Sequence, residues 1–101
     1  MPVLRKRRSI LVAIAYVKVH DVKVVSAGHV NVTISGLDLS KLYPEFKGTS
    51  KSDKKVFRIV GAGTENGKNF LDLELSQHEP IRVQISLSDF RMIQDAWPVP
   101  P

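Results

Sequence analysis

Several groups of residues have types and spacings that bear on chemistry. Ala62-x-x-x-x-Gly67-Lys68 approaches a phosphate-binding loop, in which glycines expose backbone N–H groups and a lysine reaches the terminal phosphates. Asn69 stands where that loop needs Ser or Thr for magnesium, and Phe70-Leu71-Asp72-Leu73 continues as a strand where a helix should begin. Asn66-Gly67 accounts for the same residues as a type I′ hairpin turn, since both tolerate positive φ, and nucleotide hydrolysis is not expected. Asp72 and Glu74 share one strand face, as an acid/base pair would, but alternating acids on an outward face read first as solvation. Ser52-Asp53-Lys54-Lys55 has a Ser-x-x-Lys spacing without the companion motifs of the enzymes that use it. His20, His29 and His78 lie far apart near expected turns, none at a metal-ligand spacing from a second His or a carboxylate. No catalytic residue, cofactor or metal site is expected, and the chain reads as a non-enzyme.

The basic residues carry the stronger signal. Residues 1–59 hold twelve Lys/Arg against four Asp/Glu, and residues 60–101 hold three against six, so the net charge of +5 is a basic half joined to an acidic one. Guanidinium and ammonium groups neutralise phosphates and release counterions, which gives affinity without sequence choice. The expected phosphate contacts are Arg5, Lys6, Arg7 and Arg8 on an N-terminal arm, Lys51, Lys54 and Lys55 on a loop, and Arg58 leading from it. Tyr43, Phe57 and Phe70 are candidates for stacking on single-stranded bases, with Phe57 also readable as core. The resulting expectation is a small nucleic-acid-binding domain, for DNA or RNA of unspecified strandedness. The alternative is a protein-interaction module, a small inhibitor or adaptor using a sheet edge or an acidic protein surface as partner, and an unpaired edge would also permit a homodimer.

Arg5-Lys6-Arg7-Arg8 followed by Ile10–Ala15 mimics a signal peptide, but the apolar part before Ala13 is short and runs on through Val19 in a β-branched pattern. No run reaches the ~18 apolar residues that span a bilayer. A small domain without cysteine sits most easily in a reducing compartment, so a cytoplasmic location is expected, nuclear if the cell has a nucleus, since the Arg5–Arg8 run also fits a short import signal.

These side chains must be positioned by a single domain, since 101 residues leave no room for a second core. The expected organisation is a flexible basic arm over 1–8, one α+β domain over 9–97 with a mobile basic loop at 47–55, and a Pro-rich tail over 98–101. The fold class is mainly antiparallel β, about six strands as two meanders. From Ser9 to Val19 both alternate sets are apolar, which reads as a strand covered on both faces, with Tyr16 in the core. His20-Asp21 would turn the chain into Val22–Val25, and Ser26-Ala27-Gly28 into the alternating strand His29–Ser35. A short helical turn is expected near 38–44, capped by Ser40 and ended by Pro44. Val56–Val60, Leu71–Leu75 and Ile81–Leu87 form the second meander, and Ser88 caps a helix near 89–97 in which Phe90, Ile93 and Trp97 face the sheet.

Overall fold

The structure is a computed structural model that describes the backbone of residues 11–97 and the side chains of residues 15–97. It is an α+β domain: six strands, β1 (Leu11–Tyr16), β2 (Lys18–Ser26), β3 (His29–Ser35), β4 (Lys55–Glu65), β5 (Lys68–Leu73) and β6 (Ile81–Ile85), followed by helix α1 (Leu87–Gln94). The Arg5–Arg8 arm and the 98–101 tail lie outside the described residues.

The sheet order is β1-β6-β5-β4-β3-β2. Strands β2 to β6 form one continuous antiparallel meander, and β1 pairs with β6 in parallel. The expected division into two meanders is therefore replaced by one. The apolar run from Leu11 to Val19 belongs to both edges of this sheet, because only Val17 separates β1 on one edge from β2 on the other. Two edges joined by one residue force the sheet to curl into a half-barrel. Val17 is buried and its N–H donates to the Gln84 carbonyl at 2.9 Å, extending the β1–β6 ladder before the chain crosses over.

Gly36 accommodates this crossing. Its φ is +106°, and a Cβ there would sit 3.2 Å from the Tyr16 carbonyl oxygen and 3.3 Å from the Val17 Cα, so a side chain is excluded both by conformation and by space. The bend leaves Tyr16 58% exposed, outside the core expected for it. His20-Asp21 does not turn the chain: β2 runs through it as a bulge, with His20 Nε2 hydrogen-bonded to Ser35 Oγ at 2.7 Å.

The concave side of the curl is the core. Val30, Val32 and Ile34 of β3 and Ile81, Val83 and Ile85 of β6 are buried while their neighbours alternate outward, the period-2 pattern of strands with one apolar face. Ile59, Leu71 and Leu73 bridge them, and α1 closes over the interior with Ile93 fully buried and Phe90 and Trp97 packed against the same cluster. The helix begins earlier than Ser88 would place it. Ser86 is the N-cap, its Oγ accepting from the Asp89 N–H at 3.1 Å. Strand β6 ends at Ile85, so Ser86, still extended at φ −74° and ψ 164°, is the first hydroxyl residue past the ladder and takes the cap.

Between β3 and β4, two 3-10 turns at Leu39–Lys41 and Pro44–Phe46 replace the single turn expected. Asp38 rather than Ser40 caps the first, and Pro44 opens the second instead of ending the first. Segment 48–54 is tied down by Gly36 N–H to the Lys51 carbonyl and by Ser50 N–H to Asp53 Oδ2.

Asp89 also links helix to sheet edge, its Oδ2 accepting the backbone N–H of the buried Val19 at 3.0 Å. Asp89→Ala strands that donor, and we expect a loss of about 1–3 kcal/mol in urea unfolding, against about 1 kcal/mol for Ser86→Ala, which removes only the cap.

Candidate functional site

The convex face of the sheet carries the polar side chains. Residues paired directly across antiparallel strands point to the same side, so Lys23, Asn31 and Arg58 form one row across β2, β3 and β4. Arg58 Nη2 donates to the Gly28 carbonyl at 3.1 Å and His29 Nε2 pairs with Asn31 Oδ1 at 3.2 Å, fixing the row against the β2–β3 turn. Lys18 lies opposite Ser35 near the other end of β2, and the Gly36–Lys51 backbone bond brings the 48–54 loop to that end. Lys51 and Lys54 are exposed there. Lys55 is paired with Ile34, on the opposite side of β4 from Arg58, and its Nζ donates to the Ser50 carbonyl at 3.0 Å. Among the described residues, none of Lys18, Lys23, Lys51, Lys54, Lys55 or Arg58 takes part in an ion pair. Two acids lie beside these cations: Asp21 is one row from Lys23, and the Glu74 N–H donates to the Arg58 carbonyl.

The three aromatic candidates are placed differently from one another. Phe57 is paired with the buried Val32 and packs on the core cluster. Tyr43 stacks on His78, with centroids 3.9 Å apart and planes at 22°, and its hydroxyl donates to Glu79 Oε1 at 3.3 Å. His78 Nε2 in turn pairs with Glu45, joining the second 3-10 turn to the 76–80 loop. The hydrogen bond to His78 holds the Glu45 carboxyl below its ordinary range. Burial, then Glu79, pushes the Tyr43 phenol up. Phe70 lies on the convex face under the guanidinium of Arg82, whose Cζ is 3.8 Å from the ring centroid.

That pair belongs to a cluster missed by the sequence reading. Arg82 Nε donates to Asp72 Oδ1 at 2.8 Å and Nη2 to Oδ2 at 3.0 Å, a two-point fork, while Nη1 reaches Glu65 Oε1 at 3.3 Å. The hydrogen bond to Asp72 raises the Arg82 pKa above its already high ordinary value, so the cation is permanent. Asp72 is only 5% exposed. It is therefore one half of a covered ion pair and not a solvating acid in company with Glu74, which is exposed.

Two glycines of β4 make the cluster fit. A Cβ on Gly61 would lie 2.7 Å from Asp72 Oδ2, and one on Gly63 would lie 3.0 Å from Phe70 Cζ. Both glycines sit directly opposite these residues in the β4–β5 register, so their bare backbone is the floor on which carboxylate and ring lie. Residues 61–65 consequently extend the strand past the Val60 end expected for it, and only Asn66 and Gly67 turn, with φ of +53° and +76°. The β4–β5 hairpin therefore continues through the segment that approached a phosphate-binding loop. A signal for the cluster existed in the Gly-x-Gly of an otherwise strand-like run, since glycine inside a strand marks a close approach. What pairs with it follows only from register.

Among the described residues no group of three or more His, Asp or Glu is arranged to hold a metal ion. No helix among them is long and apolar enough to cross a membrane.

Two outcomes check this geometry. Gly61→Ala forces Asp72 off its floor, and we expect about 1–3 kcal/mol of lost stability in urea unfolding. For Glu45, the folded pKa lies below the ordinary 4.5, so its contribution is complete above that value and is lost as pH falls through the folded pKa. Wild type should therefore lose stability more steeply than Glu45→Gln as pH falls below 4.5.

Comparison of the chain with protein-family models, with curated proteins and with solved structures finds no match.

Proposed function

We propose that the chain is a non-enzymatic nucleic-acid-binding domain whose β2–β3–β4 ribbon contacts phosphates through Lys18, Lys23, Lys51, Lys54 and Arg58. Arg5, Lys6, Arg7 and Arg8 add to these contacts, and Lys55 contributes at the root of the loop. The observation that carries the reading is the Lys23–Asn31–Arg58 row, two cations and a carboxamide in register on one convex face and outside any ion pair among the described residues. Cations held on a curved β surface favour backbone contact over readout of base edges. Asp21 and Glu74 beside these cations moderate the field, so the affinity rests on several cations acting together.

A protein-interaction module is the second reading, favoured by the β2 edge, where Val24 and Val25 are 52% and 49% exposed. The same edge carries Lys23 and a bulge at Val25, devices that discourage strand addition, and for this reason it ranks second.

Fluorescence anisotropy with duplex and single-stranded oligonucleotides between 50 and 200 mM salt separates the two. Engagement of about four to six cations gives a slope of log affinity against log salt of about −4 to −5 on duplex DNA, and Lys23→Gln with Arg58→Gln should reduce its magnitude by about 2. Absence of binding, or binding indifferent to salt, overturns the first reading. Mass that rises with concentration in light scattering would instead support association through the β2 edge.

A further inference from the structure

The Arg82 cluster stands at the floor of an open recess of about 220 Å³ lined by Glu65, Lys68, Asn69, Phe70, Arg82 and Gln84. Phe70 cannot itself stack on an incoming ring, because Gly63 lies against it in β4 and the Arg82 guanidinium covers it. The plane left for a ligand is the guanidinium. Three of its five N–H groups are committed to carboxylates, its ring partner lies 3.8 Å away, and a quarter of its side chain is still exposed. It is a flat surface locked in place before any ligand arrives.

We infer that this recess binds one unpaired nucleobase, stacked on the Arg82 guanidinium with its polar edge toward the carboxamide of Gln84, which is paired with Phe70 on the same face. Charge selects the ligand. A bare anion would meet the charges of Asp72 and Glu65, which already hold three of the Arg82 N–H groups, whereas a neutral planar ring gains from the delocalised cation without confronting them. The edge group suits a base. The half-buried Gln84 carboxamide has no hydrogen-bond partner among the described residues and offers both donor and acceptor. Lys68 on the rim is placed to meet the phosphate attached to such a base. A volume below that of ordinary drug-sized pockets admits a single small ring system.

The inference deepens the nucleic-acid reading and rests on it only for the source of the base, which is either a free nucleotide or a single strand. The test uses the full ¹⁵N-labelled chain, following the side-chain amide of Gln84 and the Arg82 Nε resonance. The titrants are the four nucleoside 5′-monophosphates, inorganic phosphate, a single-stranded oligonucleotide and its abasic counterpart. Shifts at both side chains with base-bearing titrants, and not with phosphate or the abasic strand, are expected. Arg82→Lys keeps the charge but removes the plane and should weaken binding about tenfold, the scale of one lost stack. Gln84→Ala, which leaves the Asp72–Arg82 pair intact, provides a variant whose folding is not in question and should weaken binding as well.

Silence at these resonances with every titrant, or equal shifts from phosphate and the abasic strand, overturns the proposal. Salt-dependent oligonucleotide binding with silent recess resonances would sink the recess and leave the phosphate-contacting ribbon standing. Shifts from mononucleotides without retention of any oligonucleotide would uphold the recess and sink the ribbon.

Discussion

Val17 is the constraint on which the architecture turns. A strand that leaves one edge of a six-stranded sheet and after a single residue becomes its other edge permits only a curled sheet. The curl has a concave side that α1 covers and a convex side that nothing in the described chain covers. Apolar residues at every second position of β3 and β6 fill the first, and the alternating polar set is displayed on the second. The hydrogen bonds from Val17 to Gln84 and from Val19 to Asp89 satisfy the backbone donors that the crossover would otherwise strand, and Gly36 supplies room for it.

The convex face is divided by strand β4. Its first half presents Val56 and Arg58 beside β3, and its second half presents Gly61 and Gly63 beside β5, with a bulge between Ile59 and Gly61 separating them. A cation outside any ion pair among the described residues on one half and a glycine floor on the other give the two halves different chemistry. The first half offers charge to a phosphate chain. The second immobilises a guanidinium, since Asp72 fixes it at two points, Phe70 supports it from below and Glu65 holds a third N–H. A carboxylate this covered needs its partner, because removing either member leaves a charge that is poorly solvated and unpaired.

The local elements were largely legible in the sequence, and for clear reasons. Alternation in His29–Ser35 and Ile81–Ile85, the Asn66-Gly67 turn, and the three and four residue spacing of Phe90, Ile93 and Trp97 are local patterns that local sterics and burial convert directly into structure. The errors fall where a residue's role depends on a distant strand. His20-Asp21 has the composition of a turn but is carried through as a bulge because β3 pairs on both sides of it. Tyr16 sits in an apolar run but faces out because the run bends one residue later. Asp72 alternates like a solvated acid but is covered because Arg82 lies beside it in β6 and a glycine faces it in β4.

Composition and periodicity by themselves determined that this chain makes one small α+β domain of about six mostly antiparallel strands with a closing helix, and that its cations are concentrated in its first half. Those are properties of short windows, set by side-chain alternation and turn chemistry. The tertiary structure alone decided that the strands form a single curled sheet, that Lys23 and Arg58 share a row while Lys55 turns to the other side, and that Arg82 meets Asp72, Glu65 and Phe70 over two glycines. Each of these depends on pairing register between segments far apart in the chain, and a shift of one residue would turn every such side chain to the opposite face.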